Sequence, residues 1–222
     1  MQAEYFDAPG RPASASIAAF RELDRMNGLF RFSHPFESKL PGWLGTERCK
    51  KLEILDVGAG TGLLGKKLSA WAQQRGWDWH FTNLDNNPVA LEYGHVTNGV
   101  VGSALKLPFP DASFDLVVAS QMTHHLSDGE IVQHWREAWR VTRDAVFICD
   151  LQRSIRLYVL LWFTMRLMDA NREIYQDGLI SVKRGFRRQE WLDLAARAQI
   201  PGADVWLYYG TRIILQARKG AH

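Results

Sequence analysis

Apolar and polar positions change period along the chain, and the changes mark the elements. In "SIAAFRELDRMNGLFRF", Ile17, Phe20, Leu23 and Met26 fall at helical spacing. They predict a helix from Ser16 to about Phe32, with Ser16 as its cap and Gly28 near its end. A second short helix is expected over 36–44, limited by Pro35 and Pro41. From there strand-like and helix-like runs take turns. "LEILDV" (52–57) reads as a buried strand and "GLLGKKLSAWAQQRG" (62–76) as a helix. "DWHFTNLD" (78–85) reads as a strand and "NPVALEYGHV" (87–96) as a helix start. "VVGSAL" (100–105) is a short strand, followed by a strand at 114–120. "DGEIVQHWREAWRVT" (128–142) is a helix with Ile131, Trp135, Ala138 and Trp139 on one face. A strand at 144–151 follows, then an apolar helix and an amphipathic one at 187–200. "DVWLYYG" and "TRIILQAR" close the chain as two strands, a hairpin around Gly210.

Alternation at βαβ spacing through the first five strands predicts an α/β, doubly wound, mostly parallel sheet with an antiparallel finish. No internal repeat interrupts it, and one domain over 1–222 is expected. Its parts are a helical N-terminal arm and cap (1–48), a core (49–151), a helical covering insertion (152–200) and the closing strands (201–222). Residues 1–15, with Pro9, Gly10 and Pro12, read as a loose arm. The most apolar run, "IRLYVLLWFTMRLM" (155–168), has 14 residues and includes Arg156 and Arg166. A spanning helix needs roughly 20. It reads as a helix that is buried or walls a pocket, with a membrane-surface role as the lesser alternative.

Composition narrows the class. The apolar share of 46% and charged share of 23% suit a globular domain. A net charge of +3, with no basic block interleaved with aromatics, argues against a nucleic-acid partner. Cys49 and Cys149 lack metal-site spacing, so no metal and no disulfide framework are expected, and a reducing, cytoplasmic setting is. "MQAEYFDAPG" has neither the basic nor the apolar region of a secretory signal.

The chemistry concentrates in "LEILDVGAGTGLLGKKL" (52–68). A glycine turn between strand and helix suits a nucleotide, and the dinucleotide fingerprint is G-x-G-x-x-G. Here Gly58, Gly60 and Gly62 are spaced G-x-G-x-G, and Leu63 stands where the third glycine belongs. Asp56 at the mouth of the turn repels a pyrophosphate and attracts a cation. Glycine lets backbone come close to a ligand. A ligand with an ammonium, a carboxylate and a sulfonium fits that turn, and S-adenosylmethionine is such a ligand. Asp85 closes the next strand 23 residues past Gly62, where a carboxylate can accept ribose hydroxyls. Asn86 or Asn87 can border the adenine.

On "LDVGAGTG", "NLDNNP", "GSALKLPFPDASFDLVVAS", "THHLSD" and "REAWRVTRDAVFICDL", the chain resembles the class I S-adenosylmethionine-dependent methyltransferases, in their type 11 domain. "YQDGLISVKRGFRRQEWLDLAARA" resembles a bacterial branch associated with natural-product or quinone-like substrates. The resemblance implies a Rossmann-like sheet of seven strands, the last antiparallel. It implies cofactor contacts from Asp56, Gly58, Gly60, Gly62, Asp85 and Asn86, with Ser120 and Gln121 beside the methionine part. It also puts Ser103 and Ala104 at the adenine, with one departure: the family's "GDA" acid is Ser103 here, which weakens the contact to the adenine amino group.

Methyl transfer needs alignment of donor and acceptor and exclusion of water. A hydroxyl acceptor also has to lose a proton. His124 and His125 follow the fourth strand at the ligand-binding edge of the sheet and are the candidate bases, His125 slightly favoured by its place beside Leu126. Either can equally hold the following loop. Trp162, Phe163 and Met165 belong to a substrate lid or to the core. Arg153 and Arg184 can meet an acidic acceptor or form surface pairs. Asp150 can orient substrate or cap the next helix. The expected acceptor is a small, aromatic or apolar molecule, methylated on a hydroxyl oxygen, and exposed tryptophans permit a homodimer. The rivals are an NAD(P)-dependent oxidoreductase, disfavoured by the missing glycine, and a non-catalytic binding protein that keeps the cofactor fold.

Overall fold

The computed structural model describes residues 13–167 and 172–220. The expected N-terminal arm lies largely outside them. Seven strands form one sheet: β1 (Lys51–Val57), β2 (Asp78–Asp85), β3 (Gly99–Val101), β4 (Phe114–Ser120), β5 (Thr142–Leu151), β6 (Asp204–Tyr208) and β7 (Arg212–Arg218). Their order is β3-β2-β1-β4-β5-β7-β6. The first five are parallel, and β7 runs antiparallel to both β5 and β6. The chain therefore starts mid-sheet at β1, winds outward to β3, then returns to β4 on the other side of β1. The break between β1 and β4 is the switch point at which open α/β sheets bind ligands, beyond the carboxyl ends of the strands.

The helices are α1 (Ala13–Leu29), α2 (His34–Leu44), α3 (Leu63–Gln73), α4 (Pro88–Tyr93), α5 (Asp128–Val141), α6 (Ile155–Leu167), α7 (Arg172–Arg184) and α8 (Arg188–Ala198). Two apolar clusters sandwich the sheet. On one face Leu55, Val117 and Ile148 meet Trp135 of α5 and Trp191 of α8. On the other Ile54, Val118 and Phe147 meet Phe36 of α2 and Leu68 of α3. Central strands coated on both faces explain why they read as continuous apolar runs.

Several boundaries differ from the sequence reading. Helix α1 begins three residues before Ser16, which therefore does not cap it. Helix α2 does not stop at its prolines: Pro35 sits in its first turn, where a missing N–H costs nothing, and the helix runs on through Pro41 to Leu44. Strand β3 ends at Val101, because Ser103–Lys106 closes a turn of its own. Helix α7 was not singled out as an element. Helix α8 lies against α5, Trp135 meeting Trp191 edge-on at 5.3 Å, so it belongs to the sheet's outer layer and not to the covering segment. Likewise α2 packs on the sheet, and α1 is the part of the N-terminal cap that reaches the site. Helix α6 divides its apolar residues. Leu157 and Met165 are buried, whereas Ile155, Val159, Leu160, Trp162 and Phe163 face out. Among the described residues no helix is long and apolar enough to cross a membrane.

One buried group ties the fold to pH. His134 of α5 is fully buried, and burial pushes its imidazole down to about 4 from 6.5, the backbone at Ala104 opposing weakly. The unfolded chain then takes up a proton that the folded chain refuses. Stability is full above pH 6.5 and falls as the pH drops toward 4, by about 3 kcal/mol in all. Urea unfolding at pH 7.5, 5.5 and 4.5 should show that slope, and His134→Leu should flatten it. An unchanged slope would place the acid sensitivity elsewhere.

Candidate active site

Strand β1 ends in Asp56 and Val57 and passes into a turn whose Gly58, Gly60 and Gly62 all have positive φ, 71°, 55° and 68°. An L side chain resists that conformation. At Gly58 a Cβ would also meet Met122 Cγ at 2.7 Å, whereas above Gly60 nothing stands within 4 Å. The turn is thus pinned at one end and open at its middle. The N–H groups of Gly58 and Ala59 donate to the Leu84 carbonyl at 2.8 and 3.0 Å. Asp85, at the end of β2, accepts from Gly60 N at 2.7 Å and from Asn87 N at 2.8 Å. Asn87 spends its side chain capping α4, while the Asn86 side chain is exposed.

Asp56 is 1% exposed, and its Oδ2 has no hydrogen-bond partner among the described residues. Burial, and next the charge of Asp85, push its carboxyl up to about 8 from 3.8. Ser120, at the end of β4, likewise has a buried Oγ without a partner. Both residues line a crevice of about 300 Å³ with Gly58, Gly60, Gln121 and the two histidines. An orphaned buried carboxylate beside an open glycine turn fits a ligand that brings a cation. It suits the ammonium of S-adenosylmethionine and opposes a pyrophosphate.

The histidines sit on a 3₁₀ turn, Thr123–His125, between β4 and α5. The turn is held from behind by α5, where Glu130 accepts from Ser127 N at 2.8 Å. His124 is 4% exposed, and its Nδ1 lies 2.6 Å from Asp150 Oδ1. Asp150 also accepts from His124 N at 3.1 Å and Leu151 N at 2.6 Å. Burial raises the Asp150 carboxyl, but the charge and hydrogen bond of His124 and the two backbone donors outweigh it and hold the group below its usual range. The contact of Nδ1 with a carboxylate orients the ring and sets which nitrogen carries the proton. His125 is exposed, its ring 4.3 Å from that of His124.

The roof comes from helices. Thr61 Oγ1 donates to Asp24 of α1 at 2.8 Å, and Gln121 Nε2 donates to Asn27 at 3.1 Å. Met26 and Phe30 of α1 and Leu157, Leu161 and Met165 of α6 give the crevice its apolar wall. Of the aromatic trio considered for the lid, Met165 reaches it, while Trp162 and Phe163 point outward.

The expected site residues thus fall into two groups. Asp56, Gly58, Gly60, Ser120, Gln121, His124 and His125 meet at the crevice. Asp85, Asn86, Ser103 and Ala104 stand beyond the glycine turn on the β2–β3 side and do not line it. Gly62 starts α3, against Val96. Ser103 is exposed, and its Oγ accepts from Leu105 N at 3.2 Å. Sequence reasoning left Asp150 undecided and did not notice Asp24 or Asn27. An acid closing the buried strand "VFICD" at the ligand edge was the available signal for Asp150. For the two α1 residues no local signal exists.

Residues 55–149 match the family model described as a methyltransferase domain. The ubiquinone/menaquinone biosynthesis C-methyltransferase UbiE of Burkholderia mallei (strain SAVP1) is 37% identical over 82 residues, 32% of this chain and 33% of the relative. The chain therefore matches about a third of the length of that curated relative. A S-adenosylmethionine-dependent methyltransferase from Aquifex aeolicus superposes with a TM-score of 0.62 at 18% identity, over 91% of this chain and 97% of that one. Human N-acetylserotonin methyltransferase, solved in complex with S-adenosylmethionine, gives 0.64 at 14%, over 95% and 57%. These likenesses are of fold, and the match of the family model covers the strands that carry the glycine turn, Asp85 and the histidine turn. Residues 55–149 thus match a methyltransferase domain, and the sheet around them has the fold of the solved S-adenosylmethionine-dependent methyltransferases.

Proposed function

We propose that the protein methylates a hydroxyl of a small, aromatic or otherwise apolar acceptor, with His124 as the general base and Asp150 as its positioning residue. The observation that carries this reading is one apolar crevice holding both an unbalanced carboxylate, Asp56, and an imidazole oriented by a buried carboxylate. S-adenosylmethionine, when bound, supplies a methyl group on a sulfonium that leaves as a neutral thioether. Asp56 holds the ammonium, and Gly58 and Gly60 let the backbone come close. Gln121 and Ser120 border the methionine part, and Asp85 and Asn86 face the ribose and adenine. His124 takes the hydroxyl proton at Nε2 while Asp150 steadies the imidazolium. Helices α1 and α6 keep water out. The geometry favours His124 over His125, since His124 alone of the two is both buried and held by Asp150.

A ring carbon next to a hydroxyl is the second acceptor, favoured by the name of the curated relative. The same base serves there, because removing the hydroxyl proton pushes electron density onto that carbon. Calorimetry should give binding of S-adenosylmethionine and S-adenosylhomocysteine and none of NAD. Transfer of a labelled methyl group to a panel of phenols and hydroquinones, with NMR of the products, should give an ether or a methylated ring. Binding without turnover on any such acceptor would sink the catalytic reading.

Ser103 offers a gain-of-function check. Ser103→Asp restores a charged acceptor for the adenine amino group and should tighten S-adenosylmethionine binding about 3- to 10-fold, the worth of one hydrogen bond. Equal affinities in calorimetry would remove this position from the adenine site.

A further inference from the structure

We propose that Arg212 anchors a carboxylate on the acceptor, which makes the acceptor a small hydroxy acid with an apolar frame. The hydroxyl half of this inference rests on the methyl-transfer reading above, and the carboxylate half on the cavity alone. Arg212 opens β7 at the ligand edge of the sheet, paired with Leu151 of β5. It is 9% exposed and lines the crevice, yet its guanidinium makes no hydrogen bond or ion pair with any described residue. Its charge is felt at the Cys149 thiol, which burial pushes up to about 12 and Arg212 pulls the other way. A guanidinium stays protonated throughout the working range. Its strand partner Leu151 packs with Leu157 and Val182, and all three line the same crevice. Asp177, which lines the same crevice, has an interaction of its own, and no hydrogen bond or ion pair joins it to the Arg212 guanidinium. A buried cation without a counter-charge is costly, and a fold that keeps one in a ligand cavity leaves its partner to arrive with the ligand. A carboxylate fits the planar fork with two parallel hydrogen bonds.

Two carboxylates enter this crevice, that of the cofactor's methionine and that of an acceptor. Sheet order separates them. Arg212 lies three strands from Asp56, about 14 Å at the usual strand spacing, a gap that an arginine side chain spans only in part. By contrast, Asp150, which orients His124, pairs with Ile213, the next residue after Arg212. Asp150 and Arg212 thus stand on neighbouring strands one residue apart, and His124 and Arg212 line the same crevice, where one acceptor can meet both.

The test needs no turnover. Protein loaded with S-adenosylhomocysteine is titrated calorimetrically with 4-hydroxybenzoate, 4-hydroxyphenylacetate and octanoate, and with their primary amides. At least one acid should bind about 10-fold or more tightly than its amide, as expected for a charge-assisted bidentate contact. Arg212→Gln should erase that preference, Arg212→Lys should keep part of it, and neither should alter affinity for S-adenosylhomocysteine. The Arg212→Gln protein should melt no lower than the parent, because it loses a buried unpaired charge. The proposal fails if no acid outperforms its amide. It fails as well if Arg212→Gln weakens S-adenosylhomocysteine binding, which would assign the residue to the cofactor, or if it lowers the melting temperature by several degrees, which would make the role structural. Acid binding without methyl transfer would leave Arg212 in place and count only against the catalytic reading.

Discussion

Asp56→Asn should make the cofactor-free protein more stable and its complex with S-adenosylmethionine weaker. The two effects share one cause. A carboxyl raised from 3.8 to about 8 by folding holds its proton more tightly folded than unfolded. Its contribution to stability is full below pH 4 and is lost as the pH rises through 8. At pH 7.5 that loss is on the order of 4–5 kcal/mol. Asparagine has no charge to desolvate and should recover most of it. For a chain of this size each kcal/mol moves Tm by about 2–4 °C, so a rise of roughly 8–16 °C at pH 7.5, absent at pH 4, is the expected reading by calorimetry. Binding should move the other way. Removing one partner of a buried ion pair costs about 3–5 kcal/mol, equivalent to at least about 100-fold in Kd. An Asp56→Asn protein that binds as tightly as the parent, or melts lower at pH 7.5, would break the link between the orphaned carboxylate and the cofactor's ammonium.

The second large effect concerns the dyad. His124→Ala should lower kcat for a hydroxyl acceptor by about 10²- to 10⁴-fold, the usual worth of a positioned base. Asp150→Asn should come close to it. Its amide would present an N–H to Nδ1 and force the imidazole into the tautomer whose Nε2 carries the proton. Both variants should bind S-adenosylmethionine as the parent does. A strongly acidic nitrophenol, already ionised at neutral pH, should be methylated nearly as fast by either variant as by the parent. His125→Ala should lose less than tenfold. If the nitrophenol rate falls as steeply as the others, His124 positions the acceptor and does not take its proton.

Asp56, the three glycines and Asp85 were readable because each sits at the boundary of a strand that the apolar pattern already marks. The choice between His124 and His125 was not readable. Their immediate neighbours are alike, and the difference between them is Asp150, 26 residues on, delivered by the register of β4 against β5. Helix α7 was hard to see because its apolar residues are thinly spread and Gly178 interrupts it. Pro41 signalled a stop that packing of Leu40 and Leu44 against the sheet overrode. The tethers from Asp24 and Asn27 join elements far apart in sequence, where no local pattern foretells a partner. Arg212 was invisible for a related reason. In "TRIILQAR" an arginine at a strand end reads as a solvated charge, and only the closure of α6 and α7 over that edge makes it interior.

Asp85 has a consequence that reaches past its own contacts. Its carboxylate accepts from both Gly60 N and Asn87 N, tying the glycine turn to the start of α4. Each carboxylate oxygen retains a lone pair, so hydroxyls can join without displacing either amide. The segments that Asp85 joins are therefore fixed during folding, and a nucleoside held there, as proposed, would not have to order them again at each encounter.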